Sequence, residues 1–117
     1  YAGGGDLTRY IASAAKVDEH WIAAVSRQVL SACRFLHVHK IVHHDIKPAN
    51  VLATTHYLDA PEADVPLVAL ADFGLAQSER FVEQEARQQP GARNGTSYYM
   101  APESARGLSG PKTDVYA

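Results

Sequence analysis

The stretch His43-His44-Asp45-Ile46-Lys47-Pro48-Ala49-Asn50 sets an acid, an amine and an amide on one segment between two short β-branched runs, Ile41-Val42 and Val51-Leu52. Pro48 forbids a helix interior there, so the segment reads as a polar loop between strands. A carboxylate near a hydroxyl can accept its proton, a lysine can neutralise a phosphate, and an amide oxygen is a hard ligand for a divalent cation. Further along, Val65 to Ala71 is apolar apart from Pro66 and predicts a strand closed by Asp72-Phe73-Gly74. That adds a second carboxylate, on a glycine-flanked turn. Two carboxylates, an amide and a lysine are the parts of metal-assisted phosphoryl transfer.

Upstream of the loop the period is helical. Asp6 is a good N-cap, and Leu7, Tyr10, Ile11 and Ala14 predict a short helix from about 7 to 15. From Asp18 a longer helix is expected, capped by Asp18 and opened by Trp21. Ile22, Val25, Val29, Cys33 and Leu36 fall on one stripe, Arg27, Gln28 and Arg34 lie off it, and the helix ends near His39-Lys40. Residues 53–64 read as a turn-rich insertion, 77–95 as a long surface loop, 98–106 as weakly helical and 107–111 as a turn. Gly3-Gly4-Gly5 is not a phosphate loop, because no strand or Lys-Ser/Thr pair accompanies it.

Composition narrows the class. A chain of 117 residues suits one modest domain, and 46% apolar with 21% charged residues excludes a disordered tail or a collagen-like fibre. Thirteen acids against eleven bases leave a net charge of −2, which argues against a nucleic-acid partner. No apolar run is long enough to span a membrane. Cys33 is the only cysteine, so no internal disulfide forms; a small apolar filler in a reducing, cytoplasmic compartment is the expected reading. His37, His39, His43 and His44 lack the cysteines or acid pair that would complete a zinc site.

HHDIKPAN resembles the catalytic loop of eukaryotic protein kinases, DFG at 72–74 resembles that family's metal-binding motif, and Ala101-Pro102-Glu103 resembles the APE closing the activation segment. The resemblance covers essentially the whole chain. It implies an α+β, partial protein-kinase-like fold: a mostly helical C-terminal lobe with short β-hairpins and no N-terminal lobe. The expected span over 1–117 is from the end of the hinge to the start of a large helix. It also implies ATP and Mg²⁺ as cofactors and a protein substrate with a Ser/Thr acceptor. Asp45 would be the catalytic base, Lys47 would steady the γ-phosphate, and Asn50 and Asp72 would hold the metal ions. Thr96 would complete the catalytic set from the Gly95-Thr96-Ser97-Tyr98-Tyr99-Met100 segment, which resembles a Ser/Thr-type substrate shelf. Leu52 would lie under adenine, Ala2 would meet it through the backbone, and Asp6 would meet the ribose or serve only as a helix cap. His43 and Phe73 would be internal packing residues, and Asp114 the buried acid that holds the catalytic loop.

One departure from the family pattern stands out. His44 replaces the arginine that commonly receives an activation-loop phosphate. Between Leu75 and Gly95 the only Ser or Thr is Ser78, so the usual acceptor is missing as well. A kinase that needs no loop phosphorylation is expected, with Glu79, Glu83 and Glu85 as acidic partners should His44 protonate. Lys47-Pro48 favours serine/threonine over tyrosine specificity. The chain starts at Tyr1, carries no glycine-rich loop and stops at Ala117, so it is expected to be a fragment that is inactive in isolation. The alternatives are a pseudokinase scaffold, which upstream sequence lacking the strand lysine would favour, and a small-molecule phosphotransferase of kinase-like fold.

Overall fold

Asp18 starts the longest element: its carboxylate accepts the Trp21 N–H at 2.9 Å, satisfying one of the orphan donors of a helix start. The computed structural model describes residues 3–13, 17–54, 65–88 and 97–117. The chain divides into two compact units, Tyr1–Ala32 with Pro48–Ala71, and Cys33–Lys47 with Asp72–Ala117. No helix among the described residues is long and apolar enough to cross a membrane.

The first unit holds α1 (Leu7–Ser13), most of α2 (Glu19–Val38), a 3₁₀ turn (Pro48–Asn50) and the antiparallel pair β2 (Val51–Ala53) and β3 (Val68–Leu70). Register is fixed by Val51 opposite Leu70 and Ala53 opposite Val68. Leu7, Tyr10, Trp21, Val25, Val51 and Ala53 form its core, with Val29, Val65, Val68 and Leu70 packed against them. The Tyr10 and Trp21 rings stack with centroids 6.1 Å apart. Ile22, expected on the buried stripe of α2, is 52% exposed, because Trp21 one position earlier occupies the core. The Gly4 N–H donates to the Ala53 carbonyl and the Ala53 N–H to the Gly5 carbonyl. Gly5 needs its freedom here, since its φ is +72°.

The expected strand over Val65–Ala71 shortens to Val68–Leu70 for a physical reason. Pro66 has no N–H to give a ladder, and its carbonyl accepts from Gln28 Nε2 at 3.0 Å. Gln28 Oε1 in turn accepts the Val68 N–H at 2.9 Å, so one side chain off the apolar stripe clamps the strand's entry. Gln28→Leu is expected to cost about 1–3 kcal/mol, because the Val68 N–H loses its acceptor. A shift of the urea midpoint below that of wild type checks this, and an unchanged midpoint contradicts it.

The second unit contains the end of α2, β1 (Ile41–Val42), β4 (Gln77–Ser78), α3 (Glu79–Gln88), 3₁₀ turns at Ser97–Tyr99 and Ser104–Arg106, and α4 (Pro111–Tyr116). The two β-branched runs around the polar loop are strands but not partners. β1 pairs antiparallel with β4, Ile41 opposite Ser78 and Val42 opposite Gln77, and the two are not consecutive in the chain, so this ladder is not a hairpin. Cys33, Leu36, Val42, Ile46, Val82 and Ala101 are buried. Burial also pushes the Cys33 thiol up to about 11, so it stays protonated and inert, as a filler should.

The surface loop expected over 77–95 is corrected. Residues 77–78 are strand and Glu79–Gln88 is a helix, with 89–96 outside the described residues. Ser78 Oγ accepts the Phe81 N–H at 3.3 Å, the Glu79 N–H donates to the Lys40 carbonyl, and Val82 is buried. Gln, Glu and Arg are good helix formers, so their density was no mark of a loop. Gly107 ends the second 3₁₀ turn in the left-handed region, φ +78°, with its N–H on the Ser104 carbonyl. Pro111 then opens α4.

Candidate active site

The second unit carries Asp45, Lys47 and Asp72; the first carries Asn50, Leu52 and Asp6. Ala2 and Thr96, and residues 55–64 of the insertion, lie outside the described residues.

Asp114 organises the loop ahead of Asp45. Its side chain is 1% exposed and accepts the His43 N–H on Oδ2 and the His44 N–H on Oδ1, both at 2.8 Å. His37 Nε2, from the last turn of α2, meets Oδ2 at 2.9 Å. One buried carboxylate therefore anchors two consecutive backbone donors, a geometry that fixes the chain direction entering Asp45. His44 needs that hold. Its φ is +69°, in the left-handed region that non-glycine residues occupy at a cost of about 1–3 kcal/mol.

His43 is fully buried, and its Nδ1 accepts the Asp45 N–H at 3.3 Å. Its ring also lies 4.9 Å from that of Phe73, tilted by 56°. Phe73 itself is 49% exposed, which corrects its expected place as an internal packing residue. Asp45 is buried, and its Oδ2 takes a hydrogen bond from Lys47 Nζ at 2.7 Å. The expected base and the expected phosphate-steadying amine are thus brought together. The aspartate's placement comes from His43 and Asp114, its electrostatic partner from Lys47.

Asp72 is an exposed residue with φ +59°, and its Oδ1 accepts the Gly74 N–H at 3.2 Å. Building a Cβ on Gly74 would bring it to 3.1 Å from that oxygen, so glycine lets the turn close on the carboxylate. In the first unit Asn50 is buried at the end of its 3₁₀ turn, and its carbonyl accepts the Ala71 N–H at 2.9 Å. Leu52 is half-buried on β2. Asp6 serves α1: its Oδ1 accepts the Arg9 N–H at 3.1 Å, with the Arg9 Nε 3.6 Å from Oδ2. The backbone bond from Arg9 holds its carboxyl below the usual aspartate range.

Of the acidic partners expected should His44 protonate, Glu79 is engaged elsewhere. Glu79 pairs with Lys40 at 3.2 Å, the side chains of Glu83 and Glu85 lie outside the described set, and His44 Nδ1 shares a 2.8 Å hydrogen bond with Ser109 Oγ. His37 and His39 are also engaged: His37 with Asp114, and His39 Nδ1 with the Phe35 carbonyl at 2.8 Å. Ser109 escaped the sequence reading, and His37 entered it only in a rejected zinc site. Their partners lie 65 and 77 positions away, and neither belongs to a motif.

Serine/threonine-protein kinase ULK3 of Xenopus laevis is 37% identical to the chain over 103 residues, covering 88% of this chain and 19% of that protein. The chain thus spans about a fifth of that curated relative. The family described as protein kinase domain matches residues 1–117. With the match running from end to end over loop, metal motif and APE alike, the chain belongs to the protein kinase family.

Proposed function

We propose that this chain is the central segment of a serine/threonine kinase catalytic domain, transferring the ATP γ-phosphate to a Ser or Thr hydroxyl of a protein. The observation that carries the reading is the buried Asp45 carboxylate, 2.7 Å from Lys47 Nζ on a loop pinned by Asp114. Asp45 takes the proton of the acceptor hydroxyl and orients its oxygen, and Lys47 leaves Asp45 to meet the γ-phosphate. Asn50 and Asp72 are hard oxygen donors that fit Mg²⁺, which when bound neutralises charge on the ATP phosphates. Leu52 and the backbone of Ala2 serve adenine, and Thr96 the acceptor side. Asp6 is given to α1 as its cap. The relative's serine/threonine class and the Lys47-Pro48 pair support the acceptor type. The sequence carries all four chemical groups of the loop and metal motif, which supports transfer over a scaffold role. A segment without a glycine-rich loop lacks a lid for ATP, so the 117 residues alone are expected to be inactive.

Activation-loop phosphorylation is not required in this reading. Ser78 is occupied as the cap of α3, and the residue in the phosphate receiver's place, His44, is held by Ser109. Phosphatase treatment of the intact kinase is expected to leave its turnover within about twofold, since no charge-assisted loop contact is lost. A loss of tenfold or more, restored by rephosphorylation within the loop, would overturn this.

A further inference from the structure

We propose that Ser109 is a positioning residue for phosphoryl transfer, aiming Asp45 through the ring of His44. The inference rests on the assignment of Asp45 as the base.

His44 immediately precedes Asp45 and holds a left-handed backbone, φ +69°. A side chain there without restraint would relax toward the ordinary regions and rotate the following residue with it. Two contacts oppose that relaxation. Asp114 Oδ1 takes the His44 backbone N–H at 2.8 Å, and Ser109 Oγ shares a hydrogen bond with the ring Nδ1 at 2.8 Å. Both contacts issue from one short segment. Ser109 lies in the turn between the Gly107 cap and Pro111, and Asp114 sits in the first turn of α4. The backbone of residue 44 and its side chain are therefore tied to a single support. Ser109 is half-buried, so solvent competes only partly for the bond. With arginine at 44 the long side chain would reach past this serine. Histidine is short enough to end on it. The bond thereby gives an unphosphorylated loop a fixed contact from within the chain.

The reacting oxygen's position is sensitive to small displacements of its base, so loss of this tie acts on the chemical step more than on nucleotide binding. The test measures kcat and KM for Mg-ATP in the intact kinase, with dephosphorylated casein as acceptor. Wild type, Ser109→Ala, His44→Ala and the double variant are compared at a temperature where thermal melts show all of them folded. Ser109→Ala is expected to lower kcat about tenfold with KM for ATP little changed, and to add nothing when His44 is already alanine. An unchanged kcat, a change confined to KM, or losses that simply add in the double variant would overturn the proposal. Asp45→Asn in parallel separates the two levels. A fully active Asp45→Asn enzyme defeats the assignment of the base, whereas an inactive one beside a normal Ser109→Ala enzyme defeats only the role of Ser109.

Discussion

Asp45→Asn in the intact kinase is expected to lower kcat by about 10²–10⁴-fold, the range that a positioned general base supplies. Nucleotide affinity should change little, because the proposed role of Asp45 is on the acceptor hydroxyl and not on ATP. The substitution is close to isosteric and keeps an oxygen for Lys47 Nζ, now 2.7 Å from Oδ2, so the loop should keep its shape. What it loses is the capacity to take a proton. Asp72→Ala makes the contrast. Its exposed carboxylate, placed by the turn at Gly74, is assigned to the metal, so this variant should lose Mg²⁺-dependent nucleotide binding. A nucleotide titration with and without Mg²⁺ distinguishes them: Asp45→Asn binds as wild type does, and Asp72→Ala loses the metal-dependent part. Wild-type turnover in Asp45→Asn would contradict the assignment.

Asp114→Ala should cost about 3–5 kcal/mol of stability, the usual result of breaking a buried charged network from one side. The alanine leaves the His43 and His44 N–H groups without their acceptor and removes the partner of His37. Each orphaned backbone donor alone costs about 1–3 kcal/mol. Asp114→Asn should recover only part of the loss, since its amide turns a donor toward one of the two N–H groups. Amide hydrogen exchange localises the effect: residues 43 and 44 should lose protection first, because their bonds end on this carboxylate. A destabilisation under about 1 kcal/mol, with both amides still protected, would show that the loop is held by something else.

The site was legible in the sequence where function compresses it into a short stretch. HHDIKPAN and DFG single out Asp45, Lys47, Asn50 and Asp72 as candidates, and the family match supports the family to which those motifs point. The long helix was legible because Ile22, Val25, Val29, Cys33 and Leu36 recur three or four positions apart after the Asp18 cap, although Ile22 itself lies exposed. The helix over Glu79–Gln88 was not, since among its described residues Val82 is the buried one and its charged residues fit a loop as well as a helix face. Strand pairing was not legible either: the runs at Ile41-Val42 and Val51-Leu52 look alike, but their partners, Gln77-Ser78 and Val68–Leu70, are chosen by tertiary contacts. The same holds for Gln28 and Ser109. Each is an ordinary polar residue whose role exists only once distant backbone or a distant ring arrives beside it.

Phosphoamino-acid analysis after incubating the intact kinase with γ-labelled Mg-ATP and casein tests the central claim most directly. The account predicts label on serine or threonine from the wild-type enzyme and none above background from Asp45→Asn. Label on tyrosine alone, equal labelling by both enzymes, or no transfer by a folded, nucleotide-binding wild type would contradict it.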